Sequence, residues 1–391
     1  MSTVEYGNES IELKEGAARV RDNPQNFLGS RGLDGAQHTL YEIAGNCTDE
    51  KLSGFGNELD VARYKDGYIS FRDYGRGVPL GLNKNYGKYN YYLIYEELFA
   101  GGKYGKNQEV LRDINDRNAW DDFEFVKYPY LITIGMNGVG GAATQFTSES
   151  FEVISYRNGE ASRMYYEKGT HVLDELEVYK TNEPDGTYIK WKPDPEVFDD
   201  AVISSSFISG LCETLSFVST ASVPGFTVRF YDEEKGTTTV YEGSTIADEV
   251  KKKTGVCFTN RVLKHVVDAR GDVCVCEAEC AIGKSGCKTQ FYNNMIKIHG
   301  GSHSNGLNGA LYQFFTDIGR EHGIKIKESD YSGKLSFIVT TLANKMSIRG
   351  QTKDSLDDEY IMIAVFQCVY DALKLEYSKG TGWLTEIIED V

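Results

Sequence analysis

No run in this 391-residue sequence approaches the ~18 apolar residues that a membrane span needs. The N-terminus, MSTVEYGNES, lacks the cationic and apolar regions of a secretory signal, so the chain is expected to be cytoplasmic, with no membrane partner. Internal repeats and low-complexity tracts are missing as well. The glycine cluster Gly135–Gly141 lacks the Lys-Ser/Thr pair of a P-loop, so a Walker-type reading of it fails. No CxxC knuckle occurs among the eight cysteines, which argues against structural zinc. Positive charge is scarce: 42 Lys and Arg face 58 Asp and Glu, a net charge of −16. Such a surface is a poor general binder of phosphate backbones, because that affinity comes from counterion release by cations. Any role on nucleic acid has to be local, transient or topological.

What is present fits a globular chain long enough for two domains, with 40% hydrophobic and 26% charged residues. Cys274, Cys276, Ala278 and Cys280 alternate along VCVCEAECA, which puts them on one face of a strand as small hydrophobes. The first ~15 residues, largely polar with one aromatic, Tyr6, read as an arm. A helical pattern over 35–52 precedes a strand over 68–73, a turn at 74–79 and a second helical stretch over 90–99. The long polar segment 104–130 suggests a functional lid or an insertion. Strand alternations fill 150–192, with Asp185-Gly186 as a hairpin turn. Residues 193–200 read as a linker, dividing the chain into 1–205 and 206–391. The second part mixes strands at 226–231, 273–281 and 335–342 with helices at 305–319 and 356–377. Both halves are α+β.

His38, Glu42, Asn46 and Glu50 recur every four residues on one helix face. A carboxylate there can polarise a water for attack on a phosphate, and a carboxamide oxygen one turn on is a hard ligand for Mg²⁺. Taken alone, the plainer reading of a solvated polar stripe prevails. In Asp73-x-Gly75-Arg76-Gly77, an aspartate at a strand end can accept from an exocyclic amine while glycines let backbone approach a flat base. Taken alone, this is more simply a surface turn. The cluster Gly135-Met136-Asn137-Gly138-Val139-Gly140-Gly141 opens into a helix-compatible run and suits a phosphate cradle or, equally, a flexible loop. Gly101-Gly102-Lys103 adds a cation on a hinge, and Thr187 a hydroxyl after Gly186.

The order and spacing of these pieces decide the matter. E-x-x-x-N, D-x-G-x-G, G-G-K, G-x-N-G-x-G and G-T resemble the Bergerat-fold (GHKL) ATPases, the superfamily of gyrase B, heat-shock chaperones, MutL and histidine kinases. Asn23-Pro24-Gln25-Asn26-Phe27-Leu28-Gly29 is similar to the R-P-x-x-Y-I-G run of gyrase B, with Asn23 in place of the arginine. Phe291-Tyr292-Asn293-Asn294, Gly300-Gly301-Ser302-His303 with Gly306, and Gln351-Thr352-Lys353 resemble the F-x-N-N, G-G-T-H-x-x-G and Q-T-K motifs of the type IIA topoisomerase ATPases. Asp330-Tyr331-Ser332-Gly333-Lys334-Leu335 is a weaker echo of D-x-R-E-G-L. The resemblance spans roughly 10–375 and is nearest to gyrase B and its topoisomerase IV counterpart.

The resemblance implies a GHKL α/β sandwich followed by a smaller α+β transducer of the ribosomal S5 domain 2-like type. It implies Glu42 as general base with His38 orienting it, and Asn46 as the Mg²⁺ ligand, with Glu50 beside the ATP site. It implies Asp73 as the reader of adenine, with Arg76, Gly77, Val78, Pro79 and Ile94 lining the base pocket and Thr187 supporting it. Gly101, Gly102, Lys103 and Gly135, Met136, Asn137, Gly138, Val139, Gly140 would wrap the phosphates, and Gln351 and Lys353 reach the γ-phosphate. It further implies an ATP-bound homodimer joined by the N-terminal arm, a DNA segment enclosed transiently, and a cognate A or C subunit. Tyr74, Met136-Asn137 and Ser332-Gly333-Lys334 depart from the bacterial pattern and bear on subfamily. The E-G-D-S-A and D-x-D motifs of a Toprim domain are absent, so this chain is not expected to cut DNA by itself; it reads as a truncated piece or a stand-alone homologue, the former favoured. Two other readings stand beside this one: a nucleotide-sensing dimerisation module without turnover, and a MutL-like or chaperone-like ATPase.

Overall fold

The computed structural model describes residues 14, 16–101, 107–116, 132–134, 138–218, 224–347, 355–380 and 382–388. The arm residues 1–13 lie outside them, as do the site residues Gly102, Lys103, Gly135, Met136, Asn137, Gln351 and Lys353. No helix among the described residues is long and apolar enough to cross a membrane.

The helix expected over 35–52 runs Leu33–Leu52. Leu40, Ile43, Ala44 and Cys47 are buried on one side of it, the spacing that turns a helix into one wall of a core. They pack on a nine-stranded sheet whose strands run, in spatial order, Thr237–Tyr241, Thr227–Asp232, Glu58–Arg63, Ile69–Asp73, Gly186–Pro193, Ser148–Arg157, Glu160–Glu167 and Thr170–His171, with Glu177–Lys180 also on Glu160–Glu167. The pairings are antiparallel except Glu58–Arg63 with Thr227–Asp232. Val61, Phe71, Phe151 and Trp191 face the helices as one core. The alternate residues carry charged pairs such as Arg163–Glu152 and Lys192–Glu149, the alternation expected of a sheet covered on one side.

Three expectations are corrected here. Residues 206–241 belong with the first layer. Thr227–Asp232 pairs in parallel with Glu58–Arg63, and Ile208, Leu211 and Leu215 of the helix Ser205–Phe217 join the first core. The supposed linker 193–200 is no linker, because Asp194, Val197 and Phe198 are buried and Asp194 pairs with Arg21 at 2.5 Å. Asp185-Gly186 is not a hairpin turn either: the strands on its two sides pair with different neighbours. The tight turn is Asn158-Gly159, both residues at positive φ (55° and 77°) between paired strands, where an Asn-Gly pair meets the strand twist without strain.

The second unit is a five-stranded sheet in the order Phe258–Val267, Val273–Lys284, Leu335–Ala343, Gln290–Asn293, Ile296–Ile298. Helices Ser302–His322 and Glu359–Lys379 cover one face. Cys276, Ala278, Cys280 and Ile282 lie on that face within the core. On the other face Glu277 is buried and held by Arg261 through two hydrogen bonds, of 2.8 and 3.0 Å. The polar segment 104–130 contains a helix, Asn107–Asp116, and it docks on the second unit.

Candidate active site

Asp73 ends the strand Ile69–Asp73 and is 5% exposed. Its Oδ1 accepts the Gly75 N–H at 2.9 Å and the Thr187 N–H at 3.2 Å; no described residue donates to Oδ2. Burial raises its carboxyl above the ordinary carboxylate range, opposed by those two N–H groups and by Arg72. A buried acceptor with one oxygen unspent suits a donor brought by a ligand.

The turn that follows is locked by close backbone approach. Gly77 has φ 72°, and a Cβ there would lie 2.4 Å from Tyr156 O. The Val78 N–H donates to Thr187 Oγ1 at 3.2 Å. Gly186 faces the same point, since its Cβ would lie 2.1 Å from Asp73 O. Asp73, Gly77, Val78 and Thr187, distant in sequence, thus form one knot at the end of three adjacent strands. Val78 and Ile94 pack against the first core from its edge, and Pro79 is exposed beside them. Sequence reasoning missed Arg157, whose Nη1 donates to Arg76 O and Gly77 O at 3.2 and 3.0 Å. The Asn158-Gly159 pair was the available signal, for it places Arg157 at the mouth of a hairpin.

Across from this knot stands the polar face of Leu33–Leu52. His38 is buried, with Nε2 3.2 Å from Glu42 Oε1. The exposed Asn46 donates through Nδ2 to Glu42 O at 3.1 Å. Glu50 grips Arg76 from two sides, Nε to Oε2 at 3.0 Å and Nη2 to Oε1 at 3.1 Å, and the guanidinium lies 3.9 Å from the Phe55 ring centroid. The pair joins the helix to the turn after Asp73, so Glu50 serves as a brace at the site's edge.

The glycine segments meet near Glu42. A Cβ on Gly140 would lie 2.0 Å from Glu42 Oε2, so only glycine lets the carboxylate reach the start of the helix Gly140–Phe146. Gly138 has φ 63°, and a Cβ there would lie 2.8 Å from Ala100 O. Val139 precedes the helix as its N-cap, and Gly141 abuts Ile94 O, 3.0 Å from where its Cβ would be. Gly140 thus sets Glu42 against the start of the helix, and two residues earlier Gly138 meets the end of the other glycine segment at Ala100. A carboxylate beside glycine backbone at a helix start is chemically able to activate water next to a bound phosphate.

Residues 228–391 match the family model described as DNA gyrase B. Over those residues the chain is similar to the DNA gyrase B family. Similarity to that family continues through the rest of the chain. The DNA gyrase B protein of Thermotoga maritima is 26% identical over 402 aligned residues, covering 99% of this chain and 59% of that protein. The DNA topoisomerase 4 B protein of Staphylococcus aureus is 28% identical, covering 97% of this chain and 55% of that protein. The chain thus spans little more than half the length of these curated relatives. The topoisomerase IV ATP-binding domain of Francisella tularensis, solved with a small-molecule inhibitor, superposes with a TM-score of 0.68 at 20% identity, covering 96% of this chain and 95% of that one. The 43K ATPase domain of Thermus thermophilus gyrase B, solved with an aminocoumarin, gives 0.64 at 20%, covering 95% of each chain. The chain therefore has the fold of these ATP-binding domains.

Proposed function

We propose that this chain binds ATP between the Asp73 knot and the helix Leu33–Leu52, and hydrolyses it as the nucleotide-operated clamp of a type II DNA topoisomerase. The contact that carries the reading is Glu42 against Gly140, near the meeting point of both glycine segments. Asp73 Oδ2 accepts the adenine amine, with Thr187 holding the Asp73 turn in register. Val78, Pro79 and Ile94 give the base an apolar edge. Glu42 takes a proton from the attacking water, and His38 keeps the carboxylate turned towards the phosphates.

The donor set also fits Mg²⁺. Among the described residues no cluster of three or more His, Cys, Asp or Glu could cage a metal alone. Mg²⁺ commonly keeps waters and substrate phosphates with only one or two protein ligands, and the exposed amide of Asn46, one turn from Glu42, suits that role. When bound, the ion would neutralise charge on the phosphate oxygens.

As part of a longer protein, the chain would close as a homodimer through its N-terminal arm when ATP is bound. It would enclose a DNA segment without gripping it, in keeping with the net charge of −16, and act with a cognate A or C subunit. Lys353 and Gln351 would reach the γ-phosphate. Steady-state ATP turnover and dimerisation with a non-hydrolysable ATP analogue test this. Turnover that falls with Glu42→Gln supports the clamp; nucleotide-driven dimerisation without turnover would leave a sensing module instead.

A further inference from the structure

The connection between the two glycine segments leaves the first unit after Gly101 and returns before Gly138. Its described parts do not stay with the first unit. In the helix Asn107–Asp116, Leu111 is fully buried among Val218, Val273, Val275 and Leu342. Ile132 enters the same cluster. Ile134 then returns to the first unit: its N–H donates to Asp49 Oδ1 at 2.8 Å, and its Cγ2 fills the space beside Gly45, on the helix of Glu42 and Asn46.

Among the described residues, polar contacts of this connection reach Val273, Asp272 and Asn294 of the second unit. Gln108 pairs with the backbone of Val273 in both directions, accepting its N–H at 3.0 Å and donating to its carbonyl at 3.2 Å. Arg112 Nη2 donates to Asp272 Oδ1 at 2.9 Å. Asn294 Nδ2 donates to Thr133 O at 3.4 Å.

The same three residues hold the chain as it leaves the strand Leu335–Ala343. Asn344 Nδ2 donates to Val273 O at 3.0 Å while its Oδ1 accepts the Val275 N–H at 2.8 Å. Lys345 Nζ reaches Asp272 Oδ2 at 3.4 Å and also pairs with Asp268, whose carboxyl is pulled down to about 2 by that lysine and by backbone N–H groups. Asn294 exchanges two hydrogen bonds with the backbone of Ala343, at 2.9 and 3.2 Å. Each anchor thus has one hand on the connection and one on the strand exit.

We propose that Asp272, Val273 and Asn294 are positioning residues: they tie the helix Asn107–Asp116 and the exit of Leu335–Ala343 into one clasp, through which nucleotide held by the first unit sets the placement of the chain leaving that strand. The coupling part rests on the ATP reading above. The clasp itself does not.

Hydrogen exchange on the whole chain tests both, with Gln108→Ala and Asp272→Asn. Without nucleotide, Gln108→Ala speeds exchange at the Val275 and Ala343 amides about tenfold or more, although neither is bonded to Gln108. Acceleration confined to Val273 would mean a local contact and would overturn the clasp. With a non-hydrolysable ATP analogue, the wild type gains protection at Val275 and Ala343. Both variants lose that gain while keeping analogue affinity within about threefold, and their kcat falls about tenfold with KM little changed. Equal protection in wild type and variants overturns the coupling. If calorimetry shows no analogue binding to the wild type, the ATP reading fails and the coupling with it, and the nucleotide-free comparison still decides the clasp.

Discussion

Gly140 stands so close to Glu42 that a single added carbon would sit 2.0 Å from Glu42 Oε2. The carboxylate cannot keep its place if the glycine gains a side chain. Gly140→Ala should therefore mimic loss of the base, lowering ATP turnover ~10²-fold, the scale of a positioned general base. ADP affinity should change far less, because the base acts on water rather than on the bound ground state. Glu42→Ala should do the same without steric pressure. Parallel turnover assays and calorimetry check the pair; near-normal turnover in Glu42→Ala removes Glu42 from the chemistry.

Asp73→Asn replaces one carboxylate oxygen with an NH₂ group. The amide oxygen can still accept from Gly75 and Thr187, so the turn should survive. The other position now presents a donor to the adenine amine. ATP affinity should fall by ~1.5–3 kcal/mol, the range for a hydrogen bond to a charged group. There is a pH signature as well. Burial raises the Asp73 carboxyl above 3.8, so nucleotide affinity should begin to fall, as pH is lowered, at a pH above that value. An affinity unchanged by the substitution places adenine elsewhere.

Much of this was legible from the residues alone. The helix Leu33–Leu52 and the strand Ile69–Asp73 have clear periodicity, and they carry Glu42 and Asp73. The meeting of Gly140 with Glu42, or of Gly186 with Asp73, was not legible, because each is a contact across a hundred residues or so that no local pattern encodes. Residues 227–232 were assigned to the wrong unit for a related reason. A strand's own sequence specifies its faces but not its neighbour, and this one crosses back to pair in parallel with Glu58–Arg63. The helix Asn107–Asp116 was hidden by polarity, since Val110, Leu111 and Ile114 are its only apolar residues within a long polar segment.

Lys353 lies outside the described residues, and its role rests on the Q-T-K resemblance. A lysine near the γ-phosphate would neutralise charge there. Lys353→Ala should depress turnover and weaken ATP-dependent dimerisation while leaving ADP affinity nearly unchanged. Equal losses of ADP and ATP affinity, with turnover per bound ATP intact, would remove it from that role.

Lys51 offers a prediction about stability that is independent of nucleotide. It sits in the last turn of Leu33–Leu52, 2% exposed, with Nζ 4.6 Å from the Phe226 ring centroid. Burial lowers its ammonium from 10.5 to about 8. A lysine whose pKa is lower folded than unfolded penalises the fold while both forms are protonated, that is, below about 8. Between about 8 and 10.5 the unfolded chain binds more protons than the folded one, so this group makes stability rise with pH across that window. At ~1.4 kcal/mol per pKa unit the penalty at neutral pH is on the order of 3 kcal/mol, less ~0.5–1 kcal/mol returned by the Phe226 ring. Lys51→Met keeps the volume and removes the charge, so it should stabilise the chain by ~2 kcal/mol at pH 7. The gain should shrink as pH rises towards 10.5, where the folded amine is neutral and the unfolded one has lost half of its charge. Denaturant unfolding of both proteins at several pH values from 7 to 10.5 isolates the effect, because every other titrating group is common to the pair. A difference that stays constant across the window would mean that Lys51 keeps its proton when folded.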